Sequence, residues 1–149
     1  MKMGLFKKYV NQTRKPEGFL GKMMVNGMNG GHAKLADWGM THLAGIAPDN
    51  IAELGCGGGR NTKELLKRYP KAKITALDYS PVSVEKAKTL NKDMIAAGRC
   101  AVICGNVAKL PFEEGVFDLA TAFETVCFSA KTVRLPPEIS SPALFCQPD

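Results

Sequence analysis

A glycine-rich segment in the middle of the chain carries the residues best suited to binding chemistry. Residues 53–59 have the sequence Glu-Leu-Gly-Cys-Gly-Gly-Gly, between a short apolar run at 51–54 and a helical pattern that begins at Arg60. Glycines are needed at such a place because the backbone must turn sharply and let a ligand approach closely. A tight turn that binds nothing would have the same composition, so this segment alone leaves both interpretations open.

An acidic residue follows at a spacing that suits ribose binding. Asp78 closes the next predicted strand, 19 residues after Gly59. The ends of neighbouring parallel strands face one crevice, where an acid accepts hydrogen bonds from both ribose hydroxyls. The alternative is that Asp78 caps the turn before Ser80 and Pro81. Arg60 stands where the dinucleotide fingerprint G-x-G-x-x-G needs its last glycine, which disfavours a nucleotide-dependent oxidoreductase.

The elements that position these residues alternate between strand and helix. We predict strands at residues 51–54, 73–77, 101–104 and 116–122, and helices at 60–69 and from Pro81 to about Gly98. The second helix would bury Val84, Ala87, Met94 and Ile95 on one face. This alternation implies right-handed βαβ units, a parallel sheet and an α/β fold class.

A further helix is predicted before the first strand, within residues 32–45. Leu35, Trp38, His42 and Leu43 have the spacing of one helix face, and Gly39 leaves a gap in it. On such a face His42 is expected to be a satisfied core histidine rather than a site residue.

Composition is that of an ordinary globular protein. The chain has 149 residues, of which 45% are apolar, and no run approaches the roughly 20 apolar residues of a membrane span. Five cysteines without zinc spacing predict reduced thiols, no metal site and a cytoplasmic location. Six bases and one acid fall within residues 1–22. This segment would form a solvated helix or, alternatively, contact nucleic acid or an anionic surface.

Two more segments, together with the glycine-rich segment and the strand that ends at Asp78, form a set of four motifs. Residues 105–112 read Gly-Asn-Val-Ala-Lys-Leu-Pro-Phe after the third predicted strand, and residues 117–123 read Phe-Asp-Leu-Ala-Thr-Ala-Phe. The four segments, in this order over roughly residues 48–126, resemble the class I S-adenosylmethionine-dependent methyltransferases, in particular the small-molecule group with a G-D-A-x-x-L-P-F segment. The resemblance implies a Rossmann-like sheet, with S-adenosylmethionine as cofactor and S-adenosylhomocysteine as product.

The resemblance also implies a role for the first acid and for the loop. Gly55, Cys56, Gly57 and Gly59 would form the loop beneath the methionine and ribose parts of the cofactor. Glu53 would face the methionine amino group, directly or through water.

The remaining implied cofactor contacts lie at the other strand ends. Asp78 would hold the ribose 2′ and 3′ hydroxyls, and Tyr79 would pack beside the adenine. Asn106 stands where the family more often has aspartate, and its carbonyl would accept from the adenine amino group. Val107 would contribute backbone contacts, and Phe123 would form the floor near the transferring methyl group.

Methyl transfer from a sulfonium needs positioning more than acid–base chemistry, because the methyl group is already activated. A base is needed only for an acceptor that must lose a proton of high pKa. The candidates are His32 and Glu124. The segment after the fourth strand lacks the N-P-P-F/Y pattern of enzymes that methylate amino groups of bases or glutamine. A small-molecule acceptor is therefore favoured over nucleic acid.

The last part of the chain departs from the family pattern. Four of the nine prolines fall in the last 14 residues, and only about four of the family's seven strands are accounted for. We expect a helical lead-in at 1–47, a cofactor-binding core at 48–126, and an atypical tail at 127–149 from a truncated or frame-shifted terminus. The fourth strand would then be an exposed edge through which a dimer could form, unless the tail covers it. A cofactor-binding remnant or interaction module without turnover is the alternative function.

Overall fold

The computed structural model describes residues 33–123 continuously, together with residues 18–19, 23, 26–27 and 144–145. The helices are α1 (Ala33–Thr41), α2 (Arg60–Arg68), α3 (Pro81–Leu90) and α4 (Lys92–Ala96). The strands are β1 (Asn50–Leu54), β2 (Lys73–Asp78), β3 (Cys100–Cys104), β4 (Leu119–Phe123) and the two-residue β5 (Leu144–Phe145). None of the helices in these ranges is long and apolar enough to cross a membrane.

The strands form one parallel sheet in the order β3-β2-β1-β4-β5. The central strand β1 pairs with β2 on one side and with β4 on the other, so that Glu53 lies between Ala76 and Thr121. The predicted α/β fold with a parallel sheet and flanking helices is confirmed. The strand that follows β1 in the chain, β2, lies on one side of β1, whereas the strand that follows β4, β5, lies on the opposite side of the sheet. The topological switch point is therefore between β1 and β4.

The edge of β4 differs from the prediction of an exposed strand. Ala122 and Phe123 pair with Leu144 and Phe145, so β5 covers the carboxyl end of this edge. The other residues of the tail lie outside the described ranges, as does most of the predicted basic segment. The division of the chain at residues 47 and 126, and dimer formation through the sheet edge, stay predictions.

Two predicted elements have different limits in the structure. Strand β4 begins at Leu119 rather than at residue 116, because Gly115 has a positive φ of 76° and Val116 is 47% exposed in the preceding turn. The predicted long helix after Pro81 is divided at Asn91 into α3 and α4. Met94 beyond that break is exposed, so its predicted place on the buried face is wrong.

The predicted buried face within residues 32–45 is confirmed at Leu43, which is buried, and wrong at Trp38 and His42. Helix α1 buries Ala36, Gly39 and Met40, whereas Trp38 is 51% exposed. His42 is exposed and packs edge-to-face on Trp38 with 4.8 Å between ring centroids, so it is not a core histidine. The small residues Ala36 and Gly39 allow α1 to pack closely on its neighbours, so this face is buried and the larger Trp38 is left exposed.

Two polar side chains, Asp118 and Arg99, join elements of the framework through hydrogen bonds to the backbone. The Asp118 carboxylate accepts hydrogen bonds from the backbone N–H groups of Asp49 and Asn50, at 2.9 and 2.8 Å, and so joins the starts of β4 and β1. The Arg99 guanidinium donates to the Tyr69 carbonyl at 2.8 Å and to the Leu66 carbonyl at 3.2 Å. This cation therefore stabilises the C-terminal end of α2, where backbone carbonyls lack helical partners.

Candidate functional site

The predicted site residues that the structure describes lie around the carboxyl ends of β1, β2, β3 and β4. The loop at residues 55–59 connects β1 to α2 and crosses the end of β2. Its backbone is fixed there by two hydrogen bonds, from the N–H groups of Gly55 and Cys56 to the Leu77 carbonyl at 2.7 and 3.0 Å. A third bond, from Gly59 to the Cys56 carbonyl at 2.9 Å, closes the turn into α2.

Two of the glycines in this loop serve different structural purposes. Gly57 and Gly59 have positive φ angles of 52° and 82°, which favour glycine. A Cβ on Gly59 would lie 2.7 Å from the Ala87 Cα, so α3 packs directly on this glycine. A Cβ on Gly57 would meet no atom within 4 Å among the described residues. The loop is therefore closed against α3 at Gly59 and open at Gly57, where a ligand could approach the backbone.

Asp78 connects the glycine loop to the turn that starts α3. One carboxylate oxygen accepts from the Gly57 N–H and the other from the Ser80 N–H, both at 2.9 Å. Burial of this side chain, which is 8% exposed, raises the pKa of Asp78 above its ordinary value, and the backbone hydrogen bonds act in the opposite direction. The turn-capping interpretation of Asp78 is thus confirmed, and after the backbone bonds from Gly57, Ser80 and Tyr79 the carboxylate has acceptor capacity left for a further donor.

Glu53 is a buried carboxyl beside this loop, with 1% of its surface exposed. The Thr62 hydroxyl, from the first turn of α2, donates a hydrogen bond to Glu53 Oε2. Burial raises the pKa of Glu53 to about 8; the Thr62 bond lowers it and the nearby Asp78 raises it. Glu53 therefore holds a proton at neutral pH in this structure. Thr62 is absent from the residues predicted for the site, although its place in the first turn of the helix after the loop could have indicated a partner on β1.

The Cys56 side chain points into the core rather than toward the opening at Gly57. It is buried within the central apolar cluster, and burial raises the pKa of its thiol well above the ordinary value. The thiol is therefore protonated at neutral pH. Any ligand contact from Cys56 would come from its backbone.

The ends of β2 and β3 form a second side of the site. The Gly105 N–H donates to the Asp78 carbonyl at 2.9 Å, which brings the following turn next to Asp78. In that turn the Asn106 side-chain oxygen accepts from the Ala108 N–H at 2.9 Å. Tyr79 is 44% exposed. Val107 packs against a second apolar cluster, formed by Ala52, Leu54 and Ala122 on the face of the sheet opposite Glu53.

The predicted residues at the end of β4 are only partly described. Phe123 is half-buried against the central cluster. The two candidate bases, His32 and Glu124, lie outside the described residues. Within the described ranges no group of three or more His, Cys, Asp or Glu side chains could hold a metal ion.

Arg60 and Asn91 each join two elements next to the glycine loop, contacts that the sequence does not indicate. The Arg60 guanidinium pairs with the Asp37 carboxylate at 2.6 Å and so joins α2 to α1. Asn91, buried at the break between α3 and α4, donates from its side chain to the carbonyls of Gly59 and Ala87 at 3.1 and 3.0 Å. Asn91 thereby ties the end of the glycine loop to α3.

The fold is similar to that of solved methyltransferase structures. A Methanococcus maripaludis protein, provisionally assigned as an S-adenosylmethionine-dependent methyltransferase, matches with a TM-score of 0.62 and 24% identity over 72% of this chain and 50% of that one. Geranyl diphosphate C-methyltransferase from Streptomyces coelicolor, in complex with Mg²⁺, geranyl diphosphate and S-adenosylhomocysteine, matches with a TM-score of 0.53 and 18% identity, over 60% of this chain and 34% of that one.

Curated relatives are also methyltransferases. The 24-methylenesterol C-methyltransferase 3 of Arabidopsis thaliana is 34% identical over 60% of this chain and 24% of its own length. The malonyl-acyl-carrier-protein O-methyltransferase of Legionella pneumophila is 36% identical over 57% of this chain and 29% of its own length. The chain thus spans about a quarter of the length of these relatives. The family model described as a methyltransferase domain matches residues 51–139, which is more than half of the chain, and the chain belongs to this methyltransferase family.

Proposed function

We propose that this chain binds S-adenosylmethionine at the carboxyl edge of its sheet and provides the cofactor-binding part of a methyltransferase that acts on a small-molecule acceptor. The observation that carries this proposal is the placement of two buried acids beside one open loop. Asp78 and Glu53 end adjacent parallel strands, and the loop between β1 and α2 is open at Gly57.

The donor groups of the cofactor suit the two acids. The neutral ribose hydroxyls are hydrogen-bond donors, and Asp78 has lone pairs left after accepting from Gly57 and Ser80. The methionine end carries a cationic amino group, for which the Glu53 carboxylate is a suitable acceptor once deprotonated. Acceptors for both donor groups on the two neighbouring strands β1 and β2 support the proposal.

The other predicted contacts complete the proposed site. Tyr79 and Asn106, at the ends of β2 and β3, would contact the adenine, with backbone contacts from Val107. Phe123 would lie near the transferring methyl group. When bound, the sulfonium supplies an already activated methyl group, so these residues act by orienting it and excluding water. His32 or Glu124 would accept a proton where the acceptor requires it.

The proposed acceptor class rests on the sequence after β4 and on the relatives. The segment after β4 lacks the N-P-P-F/Y pattern, and the two relatives are named for methylating 24-methylenesterol and malonyl-acyl-carrier protein. A cytoplasmic location is also proposed, because the cysteines are predicted to be reduced. The three described cysteines, Cys56, Cys100 and Cys104, are free thiols.

Calorimetric titration of the full chain with S-adenosylhomocysteine tests the proposal. We expect binding to the wild type and at least about tenfold weaker binding to Asp78→Asn, which corresponds to about 1.4 kcal/mol. Asp93→Asn, which changes an exposed acid in the first turn of α4, is the matched control and should leave affinity unchanged. Absence of binding to a folded wild type, or equal weakening by both variants, would contradict the proposed site.

One further ligand, a nicotinamide dinucleotide, and one methyl-transfer assay separate the alternative functions. Binding of a nicotinamide dinucleotide in place of S-adenosylhomocysteine would favour an oxidoreductase, which Arg60 disfavours because it stands where the dinucleotide fingerprint needs its last glycine. Binding of S-adenosylhomocysteine without methyl transfer to any acceptor in a panel of sterols, prenyl diphosphates and carboxylic acids would identify a binding module without turnover.

A further inference from the structure

Three polar side chains meet in the core beneath the glycine loop. Glu53 on β1, Thr62 on α2 and Thr121 on β4 are each 1% exposed or less. Polar groups this deeply buried are usually hydrogen-bonded, since an unpaired one costs about 1–3 kcal/mol. A functional role would explain why these three polar side chains are buried together.

The sheet register places Thr121 beside Glu53. The two residues are direct partners on the parallel strands β1 and β4, so their side chains leave the same face of the sheet about 4.8 Å apart at the backbone. This pair lies at the topological switch point, where ligands bind in open α/β sheets. The Thr121 hydroxyl has no hydrogen-bond partner among the described residues, whereas the Thr62 hydroxyl donates to Glu53.

We propose that Thr62 and Thr121 are positioning residues for Glu53, and that together they prepare its carboxylate to receive the cationic amino group of the cofactor. Thr62 holds one carboxylate oxygen from the helix side. Thr121 donates to the carboxylate when the ligand's ammonium binds. One proton changes place: the O–H bond of the Glu53 carboxyl breaks, its proton is taken up by water or a buffer base, and the carboxylate left behind pairs with the ammonium. This inference rests on the proposed cofactor site and assigns two residues that complete it.

The surroundings of Glu53 support coupling between ligand binding and proton release. Burial raises the pKa of this carboxyl to about 8, so the free chain carries the proton at pH 6.5. The charged neighbour that acts on Glu53 is Asp78 at the end of β2, and Glu53 in turn helps to raise the pKa of Cys56 in the loop and of Cys100 at the start of β3. Burial raises the pKa of both thiols, that of Cys100 to about 11, so both stay neutral in this range. From α2 and β4 the facing groups are uncharged hydroxyls.

Two ligands that differ in the amino-acid part test the proposal on the full chain. S-adenosylhomocysteine carries the ammonium, and 5′-methylthioadenosine carries the same adenosine without it. At pH 6.5, titration in buffers of different ionisation enthalpy should show release of about one proton per S-adenosylhomocysteine and almost none with 5′-methylthioadenosine. Both ligands should contact Asp78, so 5′-methylthioadenosine reports the state of the rest of the site.

Thr121→Val is the decisive variant because it replaces a hydroxyl by a methyl group of similar size. We expect about tenfold weaker binding of S-adenosylhomocysteine, unchanged binding of 5′-methylthioadenosine, and equal or greater stability, since an unpaired buried hydroxyl is removed. Thr62→Val should show the same ligand selectivity, and its affinity for S-adenosylhomocysteine should level off at a higher pH than in the wild type. Serine at either position should restore wild-type behaviour.

The outcomes distinguish this inference from the proposed function. Unchanged S-adenosylhomocysteine affinity in Thr121→Val, or a parallel loss of both ligands, would overturn the positioning role while the cofactor site stands. A folded wild type that binds neither ligand would overturn both proposals together.

Discussion

Replacement of Glu53 by glutamine should make the stability of the chain less dependent on pH. In the folded chain burial raises the pKa of Glu53 from its ordinary 4.5 to about 8. Between these two pH values the folded chain holds a proton that the unfolded chain has released. Stability therefore falls as the pH rises through this interval, because the free energy of unfolding decreases wherever the folded state binds more protons.

The expected size of the effect follows from the width of that interval. Each pH unit within it changes the free energy of unfolding by at most about 1.4 kcal/mol. From pH 5.5 to pH 8 the Glu53 contribution is then at most about 3 kcal/mol, a large part of the stability of a small domain. Glutamine has nearly the shape of protonated glutamic acid, so Glu53→Gln should match the wild type at pH 5.5 and exceed it at pH 8.

Urea unfolding followed by circular dichroism at four pH values between 5.5 and 8.5 measures the slope. Glu64→Gln is the matched control, because Glu64 is a carboxylate on the solvent side of α2 that pairs with Lys67 at 2.8 Å. The control should keep the wild-type slope. A Glu53→Gln variant that also keeps this slope would refute the conclusion that Glu53 is protonated in the folded chain.

Three other substitutions test the packing around the site. Gly59→Ala should lower the free energy of unfolding by about 2–4 kcal/mol, because alanine is strained at a positive φ and its Cβ would overlap with α3. Urea unfolding measures this change, and a decrease of less than about 1 kcal/mol would contradict the described contact. Gly57→Ala should cost only about 1 kcal/mol, since its Cβ would enter open space, yet it should weaken S-adenosylhomocysteine binding in the calorimeter. Arg99→Met should lower the free energy of unfolding by about 2 kcal/mol through loss of its hydrogen bonds to the end of α2, and unchanged stability would show that these bonds contribute nothing.

The local part of the site could be predicted from the sequence because its signals lie within a few residues of one another. The strand–loop–helix unit around residues 53–59 is marked by an apolar run, closely spaced glycines and a helical pattern. The capping of α3 was predictable for the same reason: Ser80 accepts from the Ser83 N–H, and Pro81 occupies the first turn. Each of these features depends on backbone geometry that the nearby residues themselves impose.

The parts that could not be predicted depend on contacts between distant segments. The buried face of α1 is made by Ala36, Gly39 and Met40, and only the shape of the neighbouring surface decides that these pack inward instead of Trp38. The break at Asn91 is similar, since it follows from hydrogen bonds to Gly59, 32 residues earlier. Periodicity within one segment carries no information about such partners.

The two acids of the site are held in different ways, and the difference matches the groups that we propose they bind. Asp78 accepts backbone N–H bonds from Ser80, Gly57 and Tyr79, which favour its charged form and oppose the effect of burial. It is thus prepared as an acceptor for neutral hydroxyls without any further charge. Glu53 has one hydroxyl donor and complete burial, so its charged form needs a cation beside it. A ligand that brings hydroxyls to Asp78 and an ammonium to Glu53 satisfies both acids, whereas a ligand without the ammonium leaves Glu53 protonated and unused.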